Sequence, residues 1–167
     1  MKSPPLLHSE IHGDGESPFV LMHGLLGSSR NWRSVAKEMD KGFQVHSLDL
    51  RNHGNSFHDQ QTSILEMSND LLRYADHHNL QKIILCGHSL GGKVAMRFAC
   101  DYPDRLHSLV VADIAPRDYP REHHTPTLDA LLSINLRELS SRKQADKQLS
   151  EPIPNWAFRQ FLLTNLV

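Results

Sequence analysis

A serine flanked by glycines, in the segment 87–91 (Gly-His-Ser-Leu-Gly), has the residue type and spacing best suited to chemistry in this chain. A hydroxyl held at a sharp turn between a strand and a helix is exposed and can attack a carbonyl carbon. The apolar run 82–86 before Ser89 and the helical pattern over 90–100 after it predict that arrangement. The alternative is a glycine-rich strand-to-helix turn whose serine has no catalytic role.

The backbone N–H groups of Leu25 and Leu90 are the expected donors to the negatively charged oxygen that such an attack creates. Leu25 lies in the segment 23–28 (His-Gly-Leu-Leu-Gly-Ser), which follows the apolar run 19–22. Loops that leave parallel strands gather at the carboxyl edge of the sheet, where Ser89 is also expected. Each preplaced donor contributes about 10²–10³ in rate. His23 is expected to orient its loop through hydrogen bonds rather than to act as a base.

Asp113 is the candidate carboxylate, because it ends the strand predicted over 106–113 and so emerges at the same edge. A carboxylate there can hold a histidine in the required tautomer and stabilise its charged form. From the residues alone, a structural aspartate that caps a loop remains the alternative. Asp49 and Arg51, at the end of another predicted strand, are expected to form ion pairs with a structural role.

The remaining pattern predicts an α/β core over 1–118, with a mostly parallel sheet covered by helices on both faces. Beyond it, 119–167 is expected to form helices that begin a lid above the carboxyl edge. The elements that support this interpretation are strands over 6–12, 19–22, 43–50, 82–86 and 106–113, and helices over 29–39, 62–78, 90–100, 127–139, 140–149 and 155–167.

Composition excludes several classes of function. The chain has 167 residues, a formal net charge of −1 and 39% hydrophobic residues, which gives no argument for a nucleic-acid partner. No apolar stretch approaches the roughly 18 residues of a membrane span. The two cysteines fall inside predicted elements, which favours a reducing, cytoplasmic location. The adjacent pair His77 and His78 is not expected to bind metal, because neighbouring helix residues point apart.

Four motifs together resemble one family, the α/β-hydrolase-fold esterases, and in particular the bacterial YbfF esterase group and its mitochondrial abhydrolase-domain relatives. The motifs are 23–28, 49–56 (Asp-Leu-Arg-Asn-His-Gly-Asn-Ser), 87–93 (Gly-His-Ser-Leu-Gly-Gly-Lys) and 112–116 (Ala-Asp-Ile-Ala-Pro).

The resemblance implies hydrolysis of small carboxylic esters or acyl-CoA-like thioesters without a metal or redox cofactor. It implies Ser89 as the nucleophile and Asp113 as the acid. It also adds the mitochondrial matrix as a location.

The chain departs from the family in one respect. Family members are longer, and their catalytic histidine lies near the C-terminus, after two further strands. None of the twelve histidines here occupies that position. His88 stands beside Ser89, but its side chain is expected to point into the fold. The histidines considered as substitutes are His23, His53, His88, His123 and His124.

We therefore expect the N-terminal part of an esterase, missing the C-terminal strands, that is weakly active or inactive. The alternative of a different class is a non-catalytic protein that binds a partner. The strand over 106–113 would then present an uncovered sheet edge, through which self-association is expected. A lyase or acyltransferase on the same fold is a third interpretation.

Overall fold

Five strands form the central sheet in the computed structural model, which describes residues 5–120, 122 and 124–166. The strands lie in the order β1-β3-β2-β4-β5. The first strand pairs antiparallel with β3, and the other pairings are parallel. Their bounds are Ser9–His12 (β1), Pro18–Met22 (β2), Gln44–Leu48 (β3), Ile83–His88 (β4) and Leu106–Ala112 (β5).

Helices cover both faces of this sheet, as predicted. Side chains that alternate along β2 divide between two apolar clusters: Val20 and Met22 enter one, and Leu21 enters the other. The first cluster contains residues of α2 and α3, and the second contains residues of α1. The helices are α1 (Arg33–Met39, after a 3₁₀ turn Ser29–Trp32), α2 (Ile64–His77) and α3 (Leu90–Asp101).

Helix α2 begins where the sequence indicates. Ser63 is extended, and its hydroxyl accepts a hydrogen bond from the N–H of Glu66. This bond satisfies one of the N–H groups that the first helical turn leaves without a partner. The amphipathic pattern of 62–78 therefore predicts the helix.

The backbone divides into two compact units, one ending at Pro116 and the other beginning at Arg117. The second unit contains α4 (Thr125–Leu132), α5 (Arg142–Leu149) and α6 (Trp156–Leu163). Arg159 joins α6 to α5 through an ion pair of 2.6 Å with Asp146. The first of these helices ends seven residues earlier than the predicted 127–139, because turns occupy the rest of that range.

Strand β5 pairs only with β4 in the described part of the chain. Its apolar side chains are correspondingly open: Leu109 is 39% exposed and Val110 is 46% exposed. The uncovered edge predicted from the sequence is thus present within the described residues.

Candidate functional site

Ser89 lies at a sharp turn between β4 and α3. Its φ of 51° and ψ of −112° are strained for a residue with a side chain. The Ser89 N–H donates to the carbonyl of Ala112 at 3.0 Å, and the Ser89 carbonyl accepts from Lys93 at 3.1 Å. Within the part of the chain that the structure describes, the Ser89 hydroxyl makes no hydrogen bond, and the residue is half-buried. The turn therefore fixes the backbone and leaves the oxygen available.

Two glycines make this turn possible. A Cβ at Gly87 would stand 2.2 Å from the carbonyl oxygen of Gly91, and one at Gly91 would stand 2.6 Å from the carbonyl oxygen of Met22. Both distances are far below van der Waals contact with backbone atoms that cannot yield. Glycine, which has no Cβ, is therefore required at both positions for the strand, the turn and the helix to pack this closely.

The loop after β2 lies against the same turn. A Cβ at Gly24 would stand 3.2 Å from Cβ of Ser89, and the N–H of Gly91 donates to the carbonyl of His23 at 3.1 Å. In the described residues the N–H groups of Leu25 and Leu90 donate to no protein acceptor. Two unused donors therefore belong to the segments that adjoin Ser89.

Asp113 follows β5 directly, and its backbone is also strained, with φ of 55°. Its side chain is 90% exposed, and Oδ2 lies 3.8 Å from Nε2 of His88. The expectation that His88 points into the fold is therefore wrong. Its side chain is 46% exposed, because β4 ends at this residue and the ring extends past the strand end towards Asp113 and Gly24.

His23 has the structural role expected from the sequence. Its Nδ1 donates to the carbonyl of Gly24 at 2.8 Å, and its Nε2 accepts the N–H of Leu50 at 3.1 Å. Burial disfavours the charged ring and lowers the pKa of His23 to about 4. Both ring nitrogens are committed to the loops that they hold, so His23 cannot take a proton from Ser89 without breaking them.

Asp49 also has a structural role, through backbone groups and a histidine. Its carboxylate accepts the N–H of Ser29 at 2.5 Å and the N–H of Asn55 at 2.9 Å, and Nδ1 of His8 lies 3.0 Å away. Burial raises the pKa of Asp49, but the hydrogen bonds from Asn55 and Ser29 and the nearby His8 together lower it below its ordinary value. The sequence predicted an ion pair here, and did not indicate His8.

Arg51 forms the predicted ion pair. Its Nε lies 2.5 Å from Oδ2 of Asp70, a residue of α2, and both side chains are buried. Hydrogen bonding to Asp70 raises the pKa of Arg51. The partner could not be identified from the sequence, because Asp70 sits in an ordinary polar position of the α2 pattern.

Of the other histidines considered as substitutes, His53 already makes a structural hydrogen bond. Nδ1 of His53 donates to the carbonyl of Arg51 at 2.8 Å, and its ring packs 5.0 Å from that of His23. Burial lowers the pKa of His53. His124 belongs to the second unit, and His123 lies outside the described residues.

Among the described residues, no group of three histidine, cysteine or acidic residues is arranged to hold a metal ion. No described helix is long and apolar enough to cross a membrane.

The arrangement is that of a known family. A model of the alpha/beta hydrolase fold matches residues 17–149, and the chain belongs to this family. It is 41% identical over 171 residues to the mouse "sn-1-specific diacylglycerol lipase ABHD11", covering 98% of this chain and 56% of that protein. It is 33% identical over 151 residues to the Escherichia coli "Esterase YbfF", covering 90% of this chain and 59% of that protein.

A solved structure agrees. A marine microorganism esterase, 40% identical, superposes with a TM-score of 0.94 over 97% of this chain and 64% of that chain. The chain thus spans between half and two thirds of the length of these relatives. The predicted family and fold class are confirmed.

Proposed function

We propose that this chain is a serine hydrolase that cleaves small carboxylic esters or acyl thioesters through an acyl-enzyme on Ser89. The observation that carries the proposal is the strained turn at Ser89, which holds a hydroxyl without a hydrogen-bond partner in front of α3. The relatives named as esterases and a lipase support the same reaction class. Helix α3 begins directly after Ser89, at Leu90, and the N-terminus of a helix favours negative charge.

In the proposed reaction, the Ser89 oxygen attacks the acyl carbon, and the N–H groups of Leu25 and Leu90 donate to the resulting oxyanion. An imidazole takes the serine proton and passes it to the departing alcohol or thiol. Water then attacks the acyl-enzyme and releases the acid. Asp113 is proposed to orient the imidazole and stabilise its charge.

We propose a low rate for the 167-residue chain. Beyond the ends of β4 and β5, the imidazole of His88 and the carboxylate of Asp113 approach each other to 3.8 Å. That distance is longer than a hydrogen bond, so the pair is not pre-organised. We propose no cofactor and no resident metal ion, because ester hydrolysis by an activated serine requires neither.

Single-turnover acylation by p-nitrophenyl acetate tests the function. Wild type is expected to release p-nitrophenol and to carry one acetyl group on the peptide that contains Ser89, identified by mass spectrometry. Ser89→Ala is expected to lose both signals. Acetyl-CoA offered in place of the ester separates thioester from ester preference.

A folded wild type that acylates no faster than Ser89→Ala would contradict the proposal. Circular dichroism of both proteins establishes that they are folded. That result would favour the alternative of a non-catalytic protein that binds a partner.

A further inference from the structure

We propose that Asp49 is a positioning residue for the reaction at Ser89. Its carboxylate holds the loop over 24–28, which carries one proposed oxyanion donor, the N–H of Leu25. The inference rests on the proposed function, because the N–H of Leu25 has this task only if Ser89 attacks an acyl carbon. It gives Asp49 an effect on the rate of the reaction in addition to its effect on stability.

The loop over 24–28 is attached at both ends to two consecutive residues that follow β3. At its start, Nε2 of His23 accepts the N–H of Leu50 at 3.1 Å. At its end, the N–H of Ser29 donates to Oδ1 of Asp49 at 2.5 Å. The side chains of His23 and Asp49 are buried, and so is Ser29. Because hydrogen bonds are stronger where water is excluded, these two attachments fix where the loop begins and ends.

Hydrogen bonds inside the loop extend this constraint to Leu25. The N–H of Gly27 donates to the carbonyl of Gly24 at 3.0 Å, which closes a turn around Leu25. The N–H of Ser28 donates to Oδ1 of Asn31 at 2.7 Å. In the part of the chain that the structure describes, the N–H of Leu25 donates to no protein acceptor. A short loop with fixed ends and internal hydrogen bonds therefore holds this free N–H in one direction.

The loop lies against the turn that carries the nucleophile. A Cβ at Gly24 would stand 3.2 Å from Cβ of Ser89, and the N–H of Gly91 donates to the carbonyl of His23 at 3.1 Å. Leu25 follows Gly24, so a displacement of the loop moves the proposed donor relative to the Ser89 oxygen. A displacement of about 1 Å near reacting groups can lower a rate about 10²-fold.

The two oxygens of the Asp49 side chain have separate partners, so a carboxylate is needed here. Oδ1 accepts the N–H of Ser29, whereas Oδ2 accepts the N–H of Asn55 at 2.9 Å and lies 3.0 Å from Nδ1 of His8. An asparagine has one accepting oxygen and one donating NH₂ group. In Asp49→Asn, one of the two backbone N–H groups must therefore face another donor. A Cβ at Gly54 would stand 2.3 Å from Oδ2, so the backbone encloses the carboxylate closely.

Single-turnover acylation by p-nitrophenyl acetate, measured over a range of ester concentrations, tests this role. The oxyanion exists only after attack has begun, so its donors contribute to the limiting rate rather than to ester binding. Asp49→Asn is expected to lower the limiting Ser89-dependent rate about 10- to 100-fold. The ester concentration that gives half of this rate should change by less than about twofold.

Ser29→Pro tests the same hydrogen bond from its donor side. Proline lacks the N–H, and it suits the first residue of a helical turn that follows an extended residue, as Ser28 is. The matched variant Ser29→Ala keeps the N–H. The limiting rate of Ser29→Pro is expected to be at least about 10-fold below that of Ser29→Ala.

Asp70→Asn is the control for the loss of a buried carboxylate that does not hold this loop. Asp70 accepts hydrogen bonds from Arg51 and Arg73. The variant should be less stable, yet each folded molecule should acylate at the wild-type limiting rate. Circular dichroism measures the folded fraction of every variant.

A second measurement does not require turnover. Phenylboronic acid forms a reversible tetrahedral anion when its boron bonds to a serine oxygen and the serine proton passes to the buffer. This adduct needs the same N–H donors as the proposed intermediate. Titration followed by ¹¹B NMR should show affinity at least about 10-fold weaker in Asp49→Asn and Ser29→Pro than in wild type and Ser29→Ala. Ser89→Ala should form no adduct.

The outcomes separate the two proposals. The role of Asp49 is overturned, and the proposed function stands, if folded Asp49→Asn acylates Ser89 at the wild-type rate. The same conclusion follows if Ser29→Pro equals Ser29→Ala, or if folded Asp70→Asn loses as much rate as Asp49→Asn. If neither acylation nor adduct formation depends on Ser89 in the folded wild type, both proposals are overturned. A lower limiting rate and a weaker adduct in Asp49→Asn and Ser29→Pro, but not in the controls, support both.

Discussion

Two sets of histidine and aspartate residues lie at the carboxyl edge of the sheet, and their surroundings are opposite. His23 and Asp49, at the ends of β2 and β3, are buried, and each hydrogen-bonds to backbone groups of neighbouring loops. His88 and Asp113, at the ends of β4 and β5, are open to solvent and approach each other only to 3.8 Å. Identical residue types are thus structural in one place and available for chemistry in the other.

The physical reason for the difference is desolvation. A buried polar atom must be matched by a partner, since leaving it unpaired costs about 1–3 kcal/mol. A change in the protonation of His23 or Asp49 would therefore break hydrogen bonds that hold the neighbouring loops. Exposed atoms are hydrated in the free protein and can exchange water for substrate.

Removing a buried carboxylate should affect stability far more than removing an exposed one. Asp70→Asn removes the carboxylate that neutralises buried Arg51 and should lower the free energy of unfolding by about 3–5 kcal/mol. The matched change Asp113→Asn, at a side chain that is 90% exposed, should change it by less than about 0.5 kcal/mol. Urea unfolding followed by circular dichroism measures both. Equal losses would show that burial does not determine how much these two carboxylates contribute to stability.

The next effect is the pH dependence of stability. Burial lowers the pKa of both His23 and His46 to about 4, whereas an unfolded histidine titrates near 6.5. Below pH 6.5 these two histidines bind protons in the unfolded chain but stay neutral in the folded chain. The free energy of unfolding therefore falls as pH falls. Each histidine should cost about 3 kcal/mol by pH 4.

The control for this prediction uses the surroundings of His46. Nδ1 lies 2.8 Å from the Tyr74 hydroxyl and Nε2 lies 3.0 Å from Oε1 of Gln44, with the ring of His78 at 5.7 Å. His46→Gln should flatten the fall in unfolding free energy between pH 7 and 4.5, measured in urea. His107→Gln should show the same fall in unfolding free energy as wild type. If His46→Gln also shows the wild-type fall, His46 is not a source of the pH dependence.

A smaller effect, on the acylation rate, is expected at Gly24, which follows His23 in the chain and lies against His88. In Gly24→Ala the new methyl group would lie 3.0 Å from Nδ1 of His88 and 3.2 Å from Cβ of Ser89. We expect Ser89-dependent acylation to fall about 10- to 100-fold, because small displacements of reacting groups have effects of this order. Stopped-flow release of p-nitrophenol measures the rate. Gly42→Ala, where nothing lies within 4 Å of the added atom, is the matched control.

The smallest effect concerns the edge of the sheet. We propose that copies of the chain associate through β5, whose outer edge is unpaired in the described residues. Val110→Lys should reduce the concentration-dependent dimer in sedimentation velocity, because a charge on an edge strand opposes pairing. Leu65→Lys changes a side chain of similar exposure on α2. If it reduces the dimer equally, association does not use this edge.

Much of the fold follows from local pattern. The apolar runs over 19–22, 82–86 and 106–113 correspond to β2, β4 and β5 within two residues. The helix over 62–78 is found as α2. Alternation and helical periodicity act over a few residues, so a single sequence carries them. The helix predicted over 127–139 was too long, because its helical pattern continues into residues that form turns.

By itself, the sequence determined the family, the five strands and the placement of Ser89, Leu25, Leu90 and Asp113 at strand ends or helix starts, because these depend on short-range patterns and four local motifs. Which polar groups already have hydrogen-bond partners depends instead on the tertiary structure. His23 and His88 both stand at strand ends in the sequence, yet one is enclosed by the loops of β2 and β3 and the other is open. That distinction depends on contacts between residues far apart in the chain, where burial and hydrogen-bond partners are set.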